Sequence, residues 1–346
     1  LAQGAHDLTS TATDAAGNTG VASAVLTITV DTAAPVAPSA PDLAGFSDSG
    51  TADDDDITSE TTPTLTGTAD PSTTVTLSSS LNGVVGTVTA DGLGLWSITT
   101  TTLSEGDHDL TATSTDTAGN TGDDSTALTI TVDTTDPAAP STPDLFALHD
   151  SGSSDTDNIT SNTTPIIAGT NAAADSTVIL SSDVDGVVGT TTADGSGNWS
   201  VTTDPLAEGL HSLTATSTDT AGNTGDASAA LTITIDTTDP AAPGTADLVA
   251  GSDSGTADDD NITNNTTPVV AGTAEAGSTI ELTSSLGGVV ATTTANGAGD
   301  WSVATSALAQ GAHDLTSTAT DAAGNTGVAS AALTITIDTT SPLAPS

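Results

Sequence analysis

Apolar and polar positions alternate with period two through short stretches of this chain, and the stretches are separated by turns rich in Gly, Asp and Pro. Between residues 137 and 239 the pattern is clear. Leu231, Ile233 and Ile235 fall on one face and Thr232 and Thr234 on the other, as in a half-buried strand. The same reading places strand A at Leu145, B at 164–169, C at 177–182 and D at 187–193. Strand E follows at 199–203, F at 211–218 and G at 230–236. Between D and E, Asp194-Gly195-Ser196-Gly197 reads as a hairpin turn whose glycines are free to take positive φ. No stretch carries a helical period of useful length.

The pattern then repeats as a whole. Asp116-Thr-Ala-Gly-Asn120 returns at Asp219–Asn223 and Asp321–Asn325, with a leading copy at Asp14–Asn18, and Trp96, Trp199 and Trp301 keep step with it. A period of roughly one hundred residues is a domain, since solenoid units are much shorter. Boundaries follow Asp31-Thr-Ala-Ala-Pro35, Asp133-Thr-Thr-Asp-Pro137, Asp236-Thr-Thr-Asp-Pro240 and Asp338-Thr-Thr-Ser-Pro342, where prolines favour an extended, stiff backbone. The expected organisation is 1–34, the end of a preceding repeat, then repeats at 35–136, 137–239 and 240–341, with 342–346 opening the next linker. The partial first repeat reads as a piece of a longer chain. About one hundred residues in seven short strands are the dimensions of an immunoglobulin-like sandwich. The fold class expected is therefore all-β: tandem immunoglobulin-like seven-strand β-sandwich domains in an extended array. There is no Cys, so no disulfide supports the core, and each Trp is read as the largest core anchor of its repeat.

Charge narrows what the array can do. Among 346 residues there are 45 acids and no Lys or Arg, a formal charge of −45. Nothing could neutralise phosphates, which excludes nucleic acid as a partner. Membrane insertion is not expected, because no apolar run approaches a membrane span. The acids must stay apart, be screened by salt, or share a cation.

Topology gathers those acids. The segment between strands A and B keeps acids at its first, sixth and eighth places: Asp48, Asp53, Asp55; Asp150, Asp155, Asp157; and Asp253, Asp258, Asp260. It is expected at the same pole as the linker acids Asp31, Asp133, Asp136, Asp236, Asp239 and Asp338. The FG turns Asp14/Asn18, Asp116/Asn120, Asp219/Asn223 and Asp321/Asn325 are expected at the opposite pole, facing the preceding repeat. Oxygen donors at this density suit calcium, which takes 6–8 oxygens in flexible geometry, better than magnesium or a softer metal. The competing reading is turn chemistry: Asp and Asn in such loops also cap the backbone through Asx turns. At the second linker position Ala34 and Ser341 replace Asp136 and Asp239, so joints are expected to differ in affinity. His6, His108, His211 and His313 recur before strand F and read as residues packed under the EF turn. No nucleophile, base and oxyanion set is present in a plausible context, so no enzyme is expected.

Gly-Thr-Ala-Glu-Ala-Gly-Ser (272–278), Ala-Asp-Gly-x-Gly-x-Trp (193–199), Asp-Thr-Ala-Gly-Asn-Thr-Gly (219–225) and Asp-Ser-Gly-x-x-Asp-x-Asp-Asn-Ile-Thr (253–263) resemble the bacterial Ig-like repeats of giant biofilm-associated and RTX adhesins. The resemblance covers the whole chain. It implies a β-sandwich extender, export by a type I secretion system, an extracellular setting, and calcium at joints that stiffens the array. The function expected is a structural spacer supporting adhesion and biofilm formation, with neighbouring repeats as partners. The alternatives are a subunit of a self-assembling extracellular filament or matrix, in which like chains would be partners, and a glycan or homophilic binding module.

Overall fold

The computed structural model describes all residues except Thr51, Thr256, Asp258 and 344–346. They form two compact units. One comprises 1–137 with 175–177 and 218–225; the other comprises 138–174, 178–217 and 226–346. Among the described residues there is no helix.

The first unit opens with an antiparallel pair, β1 (Gly4–Leu8) and β2 (Leu26–Val30). A complete repeat follows: β3 (Asp42–Leu43), β4 (Ile57–Thr58), β5 (Thr64–Thr68), β6 (Thr74–Ser79), β7 (Gly83–Thr89), β8 (Leu95–Thr99), β9 (Gly106–Thr115) and β10 (Leu128–Val132). They form two sheets, β3-β5-β8 and β4-β10-β9-β6-β7.

The second repeat uses β11 (Asp144–Leu145), β12 (Ile159–Thr160), β13 (Ile166–Gly169), β14 (Thr177–Ser182), β15 (Gly186–Thr192), β16 (Trp199–Thr202), β17 (Gly209–Thr218) and β18 (Leu231–Ile235). The third uses β19 (Asp247–Leu248), β20 (Ile262–Thr263), β21 (Val269–Thr273), β22 (Thr279–Ser284), β23 (Gly288–Thr294), β24 (Asp300–Ala304), β25 (Gly311–Thr320) and β26 (Leu333–Ile337). Both follow the strand order of the first.

The seven expected strands of the second repeat all occur, within two residues at each end. The sandwich has an eighth. β12 pairs parallel with β18, Ile159 opposite Thr234 and Thr160 opposite Ile235. Two residues are too few to show a period, so alternation could not reveal it. Its cause is local: Asn158 takes φ 59° and turns the chain back onto the sheet. The Thr160 hydroxyl, fully buried, then donates to the His149 carbonyl at 2.6 Å. This strand fixes the loop before it, 150–158, against the end of β18.

Each repeat has its own core. In the second, Ile167, Leu180, Leu213, Ile233 and Ile235 are fully buried around Trp199. The glycine opposite each Trp in the antiparallel register is what admits the ring: Gly169 faces Trp199, and a Cβ on Gly169 would lie 2.5 Å from the indole Cζ2. The same pairing joins Gly67 to Trp96 and Gly272 to Trp301. The histidines lie where expected. His211 is buried, its Nε2 contacting the Ala207 carbonyl at 2.8 Å and its Nδ1 the Ser182 hydroxyl at 2.9 Å.

A chain without Lys or Arg satisfies its acids with hydroxyl and backbone donors instead. The Thr129 hydroxyl donates to Asp109 across the β9–β10 pair at 2.6 Å, and Thr131 donates to Asp107 at 2.8 Å. Opposed Thr and Asp on an antiparallel pair are side-chain neighbours, so the acids carried by one strand are neutral in hydrogen bonding though not in charge.

Candidate interdomain site

The FG turns adopt one geometry. Asp116 Oδ1 accepts the backbone N–H groups of Ala118 at 2.8 Å and Asn120 at 2.9 Å, and its Oδ2 accepts Asn120 Nδ2 at 2.8 Å. This is the Asx turn that competed with metal ligation at the sequence level. The Asn120 side-chain amide, followed by its backbone N–H, holds the Asp116 carboxyl below the usual carboxylate range. The remaining hydrogen of that amide reaches the preceding linker. Asn120 Nδ2 donates to the Asp31 carbonyl at 3.2 Å, and Asn223 to that of Asp133 at 2.9 Å. Asn325 donates to that of Asp236 at 2.8 Å. The FG turn and the linker acid therefore do meet, but through the linker backbone and an amide. Asp14 and Asn18 form the same turn.

The AB loops sit differently. Asp48, Asp150 and Asp253 are 7–8% exposed. Their Oδ2 atoms accept the backbone N–H of Asp56 at 3.3 Å, Asn158 at 3.1 Å and Asn261 at 3.0 Å. Their Oδ1 atoms are buried and have no hydrogen-bond partner. A buried unpaired carboxylate oxygen is costly, and here it recurs in all three repeats. Burial raises the Asp48 carboxyl above its ordinary range, opposed by the Asp56 N–H and reinforced by the charges of Asp55, Asp56 and Asp53. Burial likewise raises Asp150, with Asp157 adding to it.

The other loop acids are exposed: Asp53 and Asp55 in the first repeat, Asp155 and Asp157 in the second, Asp260 in the third. Asp258 lies outside the described residues. Asp55, Asp157 and Asp260 each accept the N–H two residues on. Asp133, Asp236 and Asp338 cap their linkers in the same way, and Asp31 also does so. Asp136 and Asp239 are on the Pro-flanked linkers after β10 and β18. Among the described residues, no three Asp, Glu or His side chains are gathered closely enough to hold a metal ion. Asp236 and Asp321 do line one cavity of about 220 Å³, together with Glu275.

Three stretches, 35–134, 137–237 and 240–339, match the bacterial Ig-like domain. The chain belongs to that family. No curated protein matches this bacterial Ig-like chain. Among solved structures, a Ca2+-stabilized adhesin that helps an Antarctic bacterium reach out and bind ice is 30% identical. That alignment covers 97% of this chain and 82% of the other, with a TM-score of 0.42. A tetra-tandem repeat in the extending region of a large adhesion protein is 25% identical over 98% of this chain and 83% of its own, with a TM-score of 0.33. The BSP domain of a biofilm associated protein is 16% identical over 90% and 69%, with a TM-score of 0.22.

Two features of these Ig-like joints were not singled out from the sequence. The first is the residue closing the EF turn, directly before strand F. Glu105 accepts the N–H and hydroxyl of Thr134 at 3.0 and 2.5 Å, and Glu208 does the same for Thr237 at 3.0 and 2.6 Å. Gln3 and Gln310 occupy the place in the other copies, and their Nε2 donates to Asp31 at 2.9 Å and Asp338 at 3.0 Å. The signal was there to read: Glu105 and Glu208 accompany Asp136 and Asp239, whereas Gln3 and Gln310 accompany Ala34 and Ser341. The Thr134 and Thr237 hydroxyls, the leading cause in each case, hold Glu105 and Glu208 below their usual range. Glu208→Gln is expected to raise the melting temperature of the second repeat in chelator at low ionic strength. It exchanges a carboxylate near Asp236 for an amide that can donate to it. The gain should fade as salt screens the pair; a drop in melting temperature would contradict this account.

The second feature is Ser-Gly directly after the buried Asp. Ser49 Oγ donates to the Ala221 carbonyl at 2.6 Å, and Ser151 Oγ to the Ala323 carbonyl at 2.5 Å. Gly50 (φ 112°) and Gly152 (φ 104°) lie so close to the same turns that a Cβ would fall 1.8 Å from the carbonyls of Thr220 and Ala322. Backbone meets backbone here, which only glycine permits.

Proposed function

We propose that this chain is an extender of a secreted or cell-surface bacterial adhesin, a non-catalytic spacer whose joints are stiffened by calcium and which supports adhesion and biofilm formation. The repeats run 35–136, 137–239 and 240–341, after the end of a preceding repeat at 1–34 and before a linker at 342–346. Their partners are one another. The observation that carries the calcium reading is the buried, unpartnered Oδ1 of Asp48, Asp150 and Asp253. In a chain with no Lys or Arg, a cation is the charge partner such an oxygen can take.

An all-oxygen donor set suits calcium, whose flexible shell accepts carboxylates and backbone carbonyls alike. Asp53 and Asp55, Asp155 and Asp157, and Asp258 and Asp260 would complete the AB-loop sites by drawing in toward the buried Asp. At the joints, Asp31, Asp133, Asp136, Asp236, Asp239 and Asp338 would supply linker oxygens. Asp14/Asn18, Asp116/Asn120, Asp219/Asn223 and Asp321/Asn325 would keep their turns and offer the lone pairs those turns leave free. When bound, the cation supplies positive charge that cancels repulsion among these groups. Calorimetric titration of the intact chain with calcium is expected to show saturable binding of several ions. Small-angle scattering should then report a longer maximum dimension in calcium than in chelator. Absence of saturable binding would overturn the calcium role, and binding with unchanged dimensions would overturn the stiffening.

A further inference from the structure

The buried Asp and the Ser-Gly pair that grips the next repeat are consecutive residues. Asp48 precedes Ser49 and Gly50, and Asp150 precedes Ser151 and Gly152. The serine hydroxyl works in two directions. Ser49 Oγ accepts the Ser59 N–H at 2.7 Å, which ties the loop to its own repeat, and donates to Ala221. Ser151 Oγ accepts the Ser161 N–H at 2.9 Å and donates to Ala323. Ser254 supplies the comparison. It too accepts a backbone N–H, from Asn264 at 2.8 Å, but its hydroxyl donates to Asn264 Oδ1 at 3.1 Å, within its own repeat. Gly255 keeps positive φ, 129°, with open space where Gly50 and Gly152 meet a carbonyl. Where the FG turn of a following repeat is present, as for Ser49-Gly50 and Ser151-Gly152, the pair is docked on it while also bound within its own repeat.

We propose that the AB loop is a cation-gated latch: a divalent cation held by the free Oδ1 of Asp48 or Asp150 fixes the loop so that Ser49-Gly50 or Ser151-Gly152 stays docked on the Ala-Gly turn of the following repeat. This rests on the calcium reading and adds to it the route by which binding inside one repeat reaches the next. Fixing the loop lowers the conformational freedom that docking would otherwise remove, so cation binding and docking favour one another. Because Gly50 and Gly152 approach backbone atoms, a small displacement of the loop ends the contact. A loop carrying Asp53, Asp54, Asp55 and Asp56 without a counter-charge has reason to move.

The test is amide hydrogen exchange of the intact chain, with calcium or chelator, read at the FG turns 219–225 and 321–327. Calcium is expected to slow exchange at both turns by about fivefold or more, the low end of ordinary coupling between sites. Asp150→Asn should remove one calcium from the titration and lessen the slowing at 321–327, leaving there only what a joint calcium gives, with 219–225 as in the parent. Ser151→Ala should keep the calcium count and lessen the slowing at 321–327 by as much as Asp150→Asn, which separates the latch from the metal site. Asp253→Asn should remove one calcium and change neither turn, because neither turn stands against Ser254-Gly255 among the described residues. The latch is overturned if Asp150→Asn loses its calcium while 321–327 stays as protected as in the parent, or if Asp253→Asn deprotects either turn. A parent chain that binds no calcium instead overturns the reading on which the latch rests.

Discussion

Trp199→Ala is expected to destabilise the second repeat by about 3–5 kcal/mol, the usual cost of deleting a buried aromatic. Trp199 is 4% exposed and lies on Gly169, so nothing larger than glycine backs the space the indole would vacate. The surrounding core is built from Leu, Ile, Val and Ala, and two short paired strands cannot collapse inward far enough to fill it. The indole Nε1 is buried with no hydrogen-bond partner, so the N–H contributes nothing favourable. Trp199→Phe should therefore lose much less, about 1.5 kcal/mol or below, since it keeps an aromatic ring and removes an unsatisfied donor. Denaturant unfolding of the intact chain should show one transition moved to a lower midpoint and the others in place. Equal losses for the two substitutions would refute this packing account.

Chelating calcium is expected to lower the melting temperature by about 10–20 °C. Binding to the folded chain alone adds RT ln(1 + [L]/Kd), about 2.7 kcal/mol per site at a hundredfold excess over Kd. In a domain of this size each kcal/mol moves the midpoint by about 4–8 °C. The sign follows from the unfolded chain, in which the loop acids separate and no site persists. General screening has to be distinguished from site binding, because a formal charge of −45 responds to any salt. The shift should persist at constant ionic strength, and magnesium should reproduce little of it, since it gives up its water reluctantly. An unchanged midpoint would remove calcium from the description of this chain.

Much of the fold was legible because its signals are local and repeated. Leu231, Ile233 and Ile235 show their period directly, and Trp96, Trp199 and Trp301 mark the same strand in the three complete repeats. β12 was not legible, because two residues carry no period and its partner β18 lies more than seventy positions away. For the site, the sequence offered two readings of the Asp and Asn pairs, ligands or Asx turns. In the structure Asp116 and Asp219 form Asx turns, and Asn120 and Asn223 carry a hydrogen bond to the linker backbone. The Glu/Gln alternation at Glu105, Glu208, Gln3 and Gln310 was readable beside Asp136, Asp239, Ala34 and Ser341, but its meaning needed the clamp on the linker threonines.

By itself the sequence determined an all-β chain of repeated domains, an acid-only charge, and which residues stand at turns. These follow from period, composition and backbone propensity, which are properties of neighbours along the chain. Only the tertiary structure decided which carboxylates are already satisfied and which are not. Asp48 and Asp116 are both turn acids in sequence, yet one has a buried oxygen without a partner and the other is closed by its own loop. Hydrogen-bond satisfaction depends on what folding brings beside an atom, and no local pattern records that.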